Sequence, residues 1–285
     1  MAVLLGFVVA SAFGSADFYG GRASQRAPTS SVLLIGQSAA VLIAVVISLA
    51  VGARVRSADL GYGALAGVAN VGGLGFLYSG LARARAGVVA PLTAVVGALV
   101  PVGWGLVTGE RPSVVALVGA ACAIVAGGLI AREHGRGGDV GAPADRRAAG
   151  VGHALAAGSL FGCSIVLFAE TADASGFWPL LTARIAGLLV VTVVALVLVR
   201  RHGRPHLDRP VRALAAGVGA LDVAGAILLL VAIRHGLLVV VAPVVALAPA
   251  FTVVLSWLLL HERVSRLQLF GLVLALVGLA LVASG

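Results

Sequence analysis

Ten long apolar stretches, separated by short polar gaps, make up nearly the whole chain. They cover residues 2–20, 31–52, 60–82, 86–108, 113–131, 150–170, 177–199, 212–234, 236–260 and 266–284. A bilayer core of about 30 Å requires roughly 20 apolar residues in a helix, so each stretch can cross it once. A transmembrane barrel would instead alternate polar and apolar residues. The pattern therefore predicts an all-α polytopic membrane protein with ten transmembrane helices.

Composition excludes the soluble alternatives. Of 285 residues, 60% are hydrophobic and only 11% are charged, whereas a soluble domain has about 25% charged residues. A soluble enzyme, a secreted disulfide scaffold and a disordered chain are all inconsistent with these values. The two cysteines, Cys122 and Cys163, lie inside apolar stretches, so we expect neither a disulfide framework nor a metal cluster. No cofactor is predicted.

The longest polar segment divides the chain into halves. Residues 132–149 are rich in charge and glycine, which is typical of a solvated linker. The segment separates residues 1–131 from residues 150–285, and each half contains five apolar stretches. The sequence thus predicts two five-helix units joined by a polar linker.

The two halves are similar in sequence. With an offset of 152 positions, residues 86–131 and 238–283 share 17 identities in 46 positions, including Ala-Pro at 90–91 and 242–243 and Glu-Arg at 110–111 and 262–263. Nearer the start, an offset of 148 aligns Phe-Gly at 13–14 with Phe-Gly at 161–162. The halves are therefore predicted to be structural repeats.

An odd number of spans per repeat determines their relative orientation. A second copy of five spans enters the membrane upside down relative to the first. The predicted result is an inverted repeat with a pseudo-two-fold axis in the membrane plane. This architecture is typical of alternating-access transporters, whose substrate site lies near the midplane between the repeats.

The positive charge is distributed unevenly between the two membrane faces. All 20 basic residues are arginine, and the net charge is +9. When arginines at the very ends of the stretches (Arg212, Arg234 and Arg266) are counted with the adjoining gap, the gaps after odd-numbered stretches hold 15 arginines and those after even-numbered stretches hold 4. Arginine-rich loops stay in the cytoplasm, so this bias predicts a cytoplasmic linker and both termini outside. We interpret the positive charge as a signal that orients the chain in the bilayer. We expect no nucleic-acid partner.

Polar residues inside the apolar stretches are the candidate functional groups, because ionisable side chains at membrane depth are costly. Asp222 lies near the middle of the eighth stretch, and the repeat alignment places Asn70 opposite it. Asp222 is a candidate proton carrier or a partner for a substrate amine. The alternative is a buried polar contact that only locks helix packing.

Arg184 lies in the seventh stretch, at a depth from which it can reach Asp222. Three interpretations stay open: a structural ion pair with Asp222, recognition of a substrate carboxylate, or snorkelling to the nearer interface. Gln37 lies one position from the repeat equivalent of Arg184. Gln37 and Arg184 are therefore predicted to place polar side chains at a second common membrane depth, one in each half.

Two further polar candidates are weaker. Asp17 lies near the predicted end of the first stretch, so an interfacial position is favoured over a place in the substrate site. Tyr78 is interpreted as a packing residue, with lining of the cavity as the alternative.

Small residues and prolines indicate where helices approach and bend. Gly63 and Gly67 form a small-xxx-small face that permits close backbone contact. Prolines interrupt the hydrogen bonding of a helix, and they fall inside the fourth and ninth stretches, at Pro91, Pro101, Pro243 and Pro249. Bends at equivalent places in both repeats are predicted gating points.

Together these motifs resemble those of the drug/metabolite transporter superfamily, in particular its ten-helix EamA-type members. The resemblance rests on the duplicated Phe-Gly, Ala-Pro and Glu-Arg pairs and on Arg184. It implies a secondary transporter, often an exporter of amino acids or other small metabolites. Members are usually drawn with both termini in the cytoplasm, which is opposite to the orientation that the arginine count predicts.

We therefore expect a plasma-membrane exporter of small amphipathic metabolites, working by alternating access, with protons as a candidate coupling partner. An intramembrane enzyme is one alternative, with Asp17 and Asp222 as an aspartyl pair. The chain lacks the motifs of such proteases and a Gly-x-Ser-x-Gly elbow, so we expect no enzymatic activity. A membrane scaffold without transport activity is the other alternative, and it predicts no polar cavity between the halves.

Overall fold

A computed structural model describes residues 2–83, 86–133, 144–203, 207–261 and 264–284. Across these ranges it is helical, with no strand, and ten helical segments are long and apolar enough to cross a membrane. The prediction of an all-α polytopic membrane protein is confirmed. The helices are α1 (Ala2–Ser24), α2 (Thr29–Ala50), α3 (Ser57–Arg83), α4 (Ala86–Val107), α5 (Val114–Glu133), α6 (Ala144–Ala169), α7 (Trp178–His202), α8 (Arg209–His235), α9 (Leu238–Val245), α10 (Ala248–Leu260) and α11 (Arg266–Ser284).

Helices α1 and α6 extend, at one end, furthest beyond the apolar stretches that predict them. Helix α1 continues past residue 20 to Ser24, and Arg22 lies in its last turn. A cation there interacts favourably with the carbonyl end of the helix dipole, and its guanidinium lies over the ring of Phe18. Helix α6 begins at Ala144, inside the predicted linker. Residues 134–143 of that linker lie outside the described residues.

Large apolar side chains face outward, and small ones face the helix contacts. Leu42 and Val46 are each 68% exposed on α2, whereas Ala40 and Ala44 on the same helix are buried. In a bilayer the exposed apolar side chains contact lipid, so their exposure carries no hydrophobic free-energy penalty. Helix association in lipid depends on close packing, which small residues permit. This division explains why a chain so rich in Leu and Val has a core rich in Ala and Gly.

The packing pattern is unchanged when the two halves are exchanged. Helix α3 packs against α6 as α8 packs against α1, and α3 contacts α7 as α8 contacts α2. Likewise α4 packs against α6, as the ninth span packs against α1, while α5 pairs with α11. This exchange symmetry is what the predicted repeat requires. The inverted orientation of the repeats stays a prediction.

The predicted proline bends are not equivalent in the two halves. The ninth span is broken into α9 and α10, with Pro243 inside α9 and Pro249 at the start of α10. In contrast, α4 is a single helix that contains both Pro91 and Pro101. The repeat alignment supplies the reason, because Gly97 stands in α4 where Pro249 stands in the second half. Glycine keeps the backbone N–H that proline lacks.

Glycines bring helices of opposite halves into direct backbone contact. A Cβ atom added to Gly67 of α3 would lie 2.0 Å from the carbonyl oxygen of Ala183 in α7. One added to Gly219 of α8 would lie 2.0 Å from the carbonyl oxygen of Gly36 in α2. The repeat symmetry exchanges the two helix pairs, α3 with α7 and α8 with α2, and the contacts fix the spacing of the helices that carry the polar residues.

Candidate functional site

Two polar residues mark the centre of the molecule. Asp222 is the middle residue of α8, and Asn70 is the middle residue of α3; both helices are 27 residues long. The structure therefore places them at the corresponding level of the two halves. The side chains of both are partly exposed.

Arg184 of α7 is joined to Asp222 of α8. Its Nη1 donates to Oδ2 of the carboxylate, and its Nη2 donates to the backbone carbonyl oxygen of Asp222 at 3.3 Å. Arg184 is only 8% exposed, so its side chain does not extend to an interface. Of the three interpretations, the structure shows the ion pair, and an exchange of this partner for a substrate carboxylate stays a prediction.

A small polar cavity lies next to this ion pair. Its volume is about 30 Å³, enough for one or two water molecules. It lies between the halves, because α2 and α3 form one side and α6 and α7 the other. The residues that line it are Gln37, Ala66, Gly67, Asn70, Val71, Ser164, Phe168, Ala183, Arg184 and Gly187.

Two buried polar atoms of the cavity-lining residues have no hydrogen-bond partner. They are the acceptor Oε1 of Gln37 and the donor Nε of Arg184. Gln37 is 7% exposed and Arg184 is 8% exposed, so leaving these groups unpaired has a free-energy cost. Because each atom has less than 1 Å² of accessible surface, a hydrogen-bonding molecule could satisfy them only in a wider cavity.

Ser164 and Phe168 of α6 also line the cavity, and sequence reasoning missed both. Neither residue type is unusual in a membrane helix, so an apolar stretch gives no signal for them. Their spacing of four residues places them on one face of α6. The repeat alignment could have pointed to this face, because Phe161 and Gly162 of the duplicated Phe-Gly pair lie on the same helix.

Asp17 lies further from the end of its helix than the hydropathy pattern predicts. The structure extends α1 to Ser24, so Asp17 lies seven residues, about 10 Å, before the end of its helix. Its side chain is exposed, and it is not among the residues that line the cavity. The choice between an interfacial position and a place in the substrate site stays a prediction.

The remaining candidates give less information. Tyr78 lies in α3, and its side chain is outside the described part of the structure. Cys163 is exposed and Cys122 is partly buried. Among the described residues, no group of three or more His, Cys, Asp or Glu side chains is placed to hold a metal ion.

A second polar region lies at one membrane face, where α2 ends and α3 begins. Here Glu110, in the loop after α4, accepts hydrogen bonds from the backbone N–H groups of Leu238 at 2.7 Å and Val239 at 2.9 Å. The carboxylate thus caps the start of α9 in the opposite half. This contact gives a physical role to the Glu-Arg motif; the equivalent Glu262 lies outside the described residues.

Fold and site together define a multi-pass helical membrane protein with a polar centre between two five-helix halves. The model of the EamA-like transporter family matches residues 148–284. The second half of the chain is thus similar to the EamA-like transporter family of the drug/metabolite transporter superfamily, and this similarity indicates a membrane transporter of small molecules.

Structural comparison gives the same fold. A solved structure described only as "Crystal structure of protein" superposes with a TM-score of 0.75 at 19% sequence identity. The match covers 98% of this chain and 95% of the other. At this identity the likeness establishes the fold alone. Comparison with curated proteins finds no match.

Proposed function

We propose that the protein is a secondary active transporter that exports small amphipathic metabolites, such as amino acids, across the plasma membrane. The observation that carries the proposal is the Arg184–Asp222 pair beside a cavity with two unsatisfied polar atoms. A cavity of about 30 Å³ is too small for a metabolite. It therefore corresponds to a contracted site that widens when the two halves move apart.

Alternating access between the halves is supported by the packing. The helices that line the cavity come from both halves, and their contacts are exchanged by the repeat symmetry. A rocking motion of one half against the other would open the cavity to each face in turn. The break between α9 and α10 gives the second half a hinge that α4 lacks.

The ion pair supplies a means of coupling. Asp222 can be neutralised either by Arg184 or by a proton, and Arg184 can be neutralised either by Asp222 or by a substrate carboxylate. When the substrate carboxylate takes Arg184, the substrate amine takes Asp222 and displaces the proton that Asp222 carried from the opposite face, so substrate and proton move in opposite directions. Transport of the substrate is then linked to movement of a proton.

Flux in proteoliposomes tests the assignment. The full-length protein is reconstituted, and efflux of a panel of radiolabelled amino acids is measured at several pH values. Asp222→Asn should abolish the pH dependence of flux, because the amide cannot carry a proton. Asp208→Asn is the matched control, since Asp208 is exposed at the start of the same helix. Unchanged flux and an unchanged pH profile in Asp222→Asn would overturn the assignment.

The two alternatives are less consistent with these observations. The EamA family consists of transporters, which argues against an intramembrane enzyme built on Asp17 and Asp222. A scaffold without transport activity predicts no polar cavity between the halves, yet Gln37, Asn70 and Arg184 line one there.

A further inference from the structure

We propose that a polar latch holds one membrane face of this protein closed, while the opposite face closes by apolar packing, so that its two gates differ in chemistry. The latch consists of Asp59, Asp173, Ser175, Gly176 and Arg234. It lies at the face where α2 ends and α3 begins, here called the latch face. The inference rests on the proposed alternating-access function.

Asp59 is the buried centre of the latch. It lies in the first turn of α3 and is only 1% exposed. Its Oδ2 accepts a hydrogen bond from the Ser175 hydroxyl at 2.5 Å and one from the backbone N–H of Ala172 at 3.3 Å. The Ser175 hydroxyl oxygen in turn accepts from the backbone N–H of Arg56 at 3.1 Å. A carboxylate of the first half thus holds the connection between α6 and α7 of the second half.

Arg234 ties the same connection to the end of α8. Its Nη2 donates to the carbonyl oxygen of Gly176 at 2.7 Å, and its Nε lies 3.2 Å from Oδ1 of Asp173. The Arg234 side chain is 13% exposed, whereas that of Asp173 is 78% exposed. Since the outer carboxylate is solvated, the bond to the Gly176 carbonyl is the more protected contact of Arg234.

The latch lies at the end of the hairpin formed by α6 and α7, and both of these helices line the cavity. Phe168 of α6 lines the cavity, and the latch residues begin one turn later in the chain. On the other side of the connection, α7 starts at Trp178 and reaches the cavity at Ala183. Opening the cavity toward this face therefore requires the α6–α7 connection to leave Asp59 and Arg234.

The repeat alignment shows which residues stand at the positions equivalent to those of the latch. Val211 stands at the position equivalent to Asp59, and Ala82 at that of Arg234, both at the offset of 152. Gln25 and Ala27 stand at the positions of Asp173 and Ser175, at the offset of 148. The carboxylates, the hydroxyl and the guanidinium of the latch are all absent from these equivalent positions.

Apolar side chains pack together at the face opposite the latch face. Ala23, Val32 and Ala215 form a buried cluster, against which Ala27, Ile35 and Leu214 pack. Val211 is itself 7% exposed. Polar latch contacts can be exchanged for water when the face opens, whereas the apolar cluster gains nothing from water. The two faces are therefore expected to respond differently to substitution of polar residues.

Accessibility of a buried reporter tests the latch without knowledge of the substrate. Ser164→Cys places a thiol in the cavity of a Cys122→Ala/Cys163→Ala background, and Ser164 itself is 4% exposed. Labelling by a membrane-impermeant maleimide is measured from each face, in right-side-out cells and in inverted vesicles. With an intact latch we expect labelling mainly from the opposite face.

Latch variants should change the direction of access. Asp59→Asn and Arg234→Gln, each checked as monodisperse in detergent, should raise labelling from the latch face several-fold. Arg56→Gln is the matched control, because its side chain is exposed at the same face and its hydrogen bonds with Ser175 and Asp59 are made by backbone atoms of Arg56. That control should leave labelling unchanged.

A disulfide gives a second readout that does not depend on weakening the fold. The backbone N–H of Arg54 donates to the Ala174 carbonyl oxygen at 2.8 Å, which brings the two residues close enough to test for a crosslink. Arg54→Cys with Ala174→Cys should, when oxidised, suppress labelling of the reporter from the latch face, and reduction should restore it.

The outcomes separate the latch from the proposed function. Labelling from the opposite face, with no increase at the latch face in either latch variant, would overturn the latch and leave the transport proposal standing. An absence of labelling from both faces in every folded variant would overturn the transport proposal itself. An equal increase in Arg56→Gln would also overturn the latch.

Discussion

Arg184 and Asp222 form a two-point contact between adjacent helices of the second half. The guanidinium donates both to the carboxylate and, at 3.3 Å, to the backbone carbonyl oxygen of the same residue. Because Arg184 is 8% exposed, its charge cannot be left without a partner at low cost. If a motion separates the two residues, another anion or water must take the place of Asp222 beside the guanidinium of Arg184.

A double-mutant cycle should show that the two residues are coupled. Arg184→Gln and Asp222→Asn should each destabilise the fold by about 1–3 kcal/mol. This is less than the roughly 3–5 kcal/mol of a fully buried pair, since the Asp222 side chain is 36% exposed. The double variant should lose less than the sum of the single losses. Thermal unfolding in detergent measures all four proteins, and additive losses would contradict the coupling.

Gln37→Met should separate stability from transport. The Oε1 atom of Gln37 is buried without a hydrogen-bond partner, so replacing the amide by an apolar side chain of similar length should maintain or raise the unfolding midpoint. Transport should fall, because the cavity loses an acceptor for the substrate.

Gln268→Met is the matched comparison for Gln37→Met. Gln268 is also buried, and its Oε1 accepts from the backbone N–H of Ser265 at 3.0 Å. Its loss should destabilise the start of α11 by about 0.5–2 kcal/mol without an effect on transport by the folded protein. If Gln37→Met instead lowers the unfolding midpoint and leaves flux intact, Gln37 has a structural role.

Gly67→Ala should prevent normal assembly of the two halves. The added Cβ would lie 2.0 Å from the Ala183 carbonyl oxygen, which is backbone and cannot rotate away. Helix α3 would have to move from α7, with loss of the cavity. Size-exclusion chromatography should show aggregated or poorly expressed protein.

Gly75→Ala is the control on the same helix. No atom lies within 4 Å of its added Cβ, and alanine favours the helix by about 0.5–1 kcal/mol over glycine. Normal yield of Gly67→Ala, with an unchanged unfolding midpoint, would show that the close approach of the two helices is not required.

Glu110→Ala should destabilise the ninth span. The substitution leaves two backbone N–H groups at the start of α9 without their acceptor, at a cost of about 1–3 kcal/mol for each one that stays buried. Glu170→Ala removes a single exposed hydrogen bond to Trp104 Nε1, so it should have a much smaller effect. Equal unfolding midpoints for the two variants would contradict the capping role of Glu110.

Much of the candidate site was visible in the sequence, because a charged or amide group in an apolar stretch is conspicuous. Asp222, Asn70, Arg184 and Gln37 were found in this way. Ser164 was missed since serine is common in membrane helices. The hydropathy pattern ended the first helix at residue 20, whereas the structure continues it to Ser24, with Arg22 in the last turn.

The sequence alone determined the number of spans and their approximate limits, because hydropathy acts locally over about 20 residues. It also revealed the duplication, which is a property of the order of residues. Only the tertiary structure decided that the guanidinium of Arg184 pairs with Asp222, that the ninth span breaks while α4 does not, and that Asp59 contacts Ser175. These features depend on distances between side chains far apart in the chain, and such distances are set by how the helices pack.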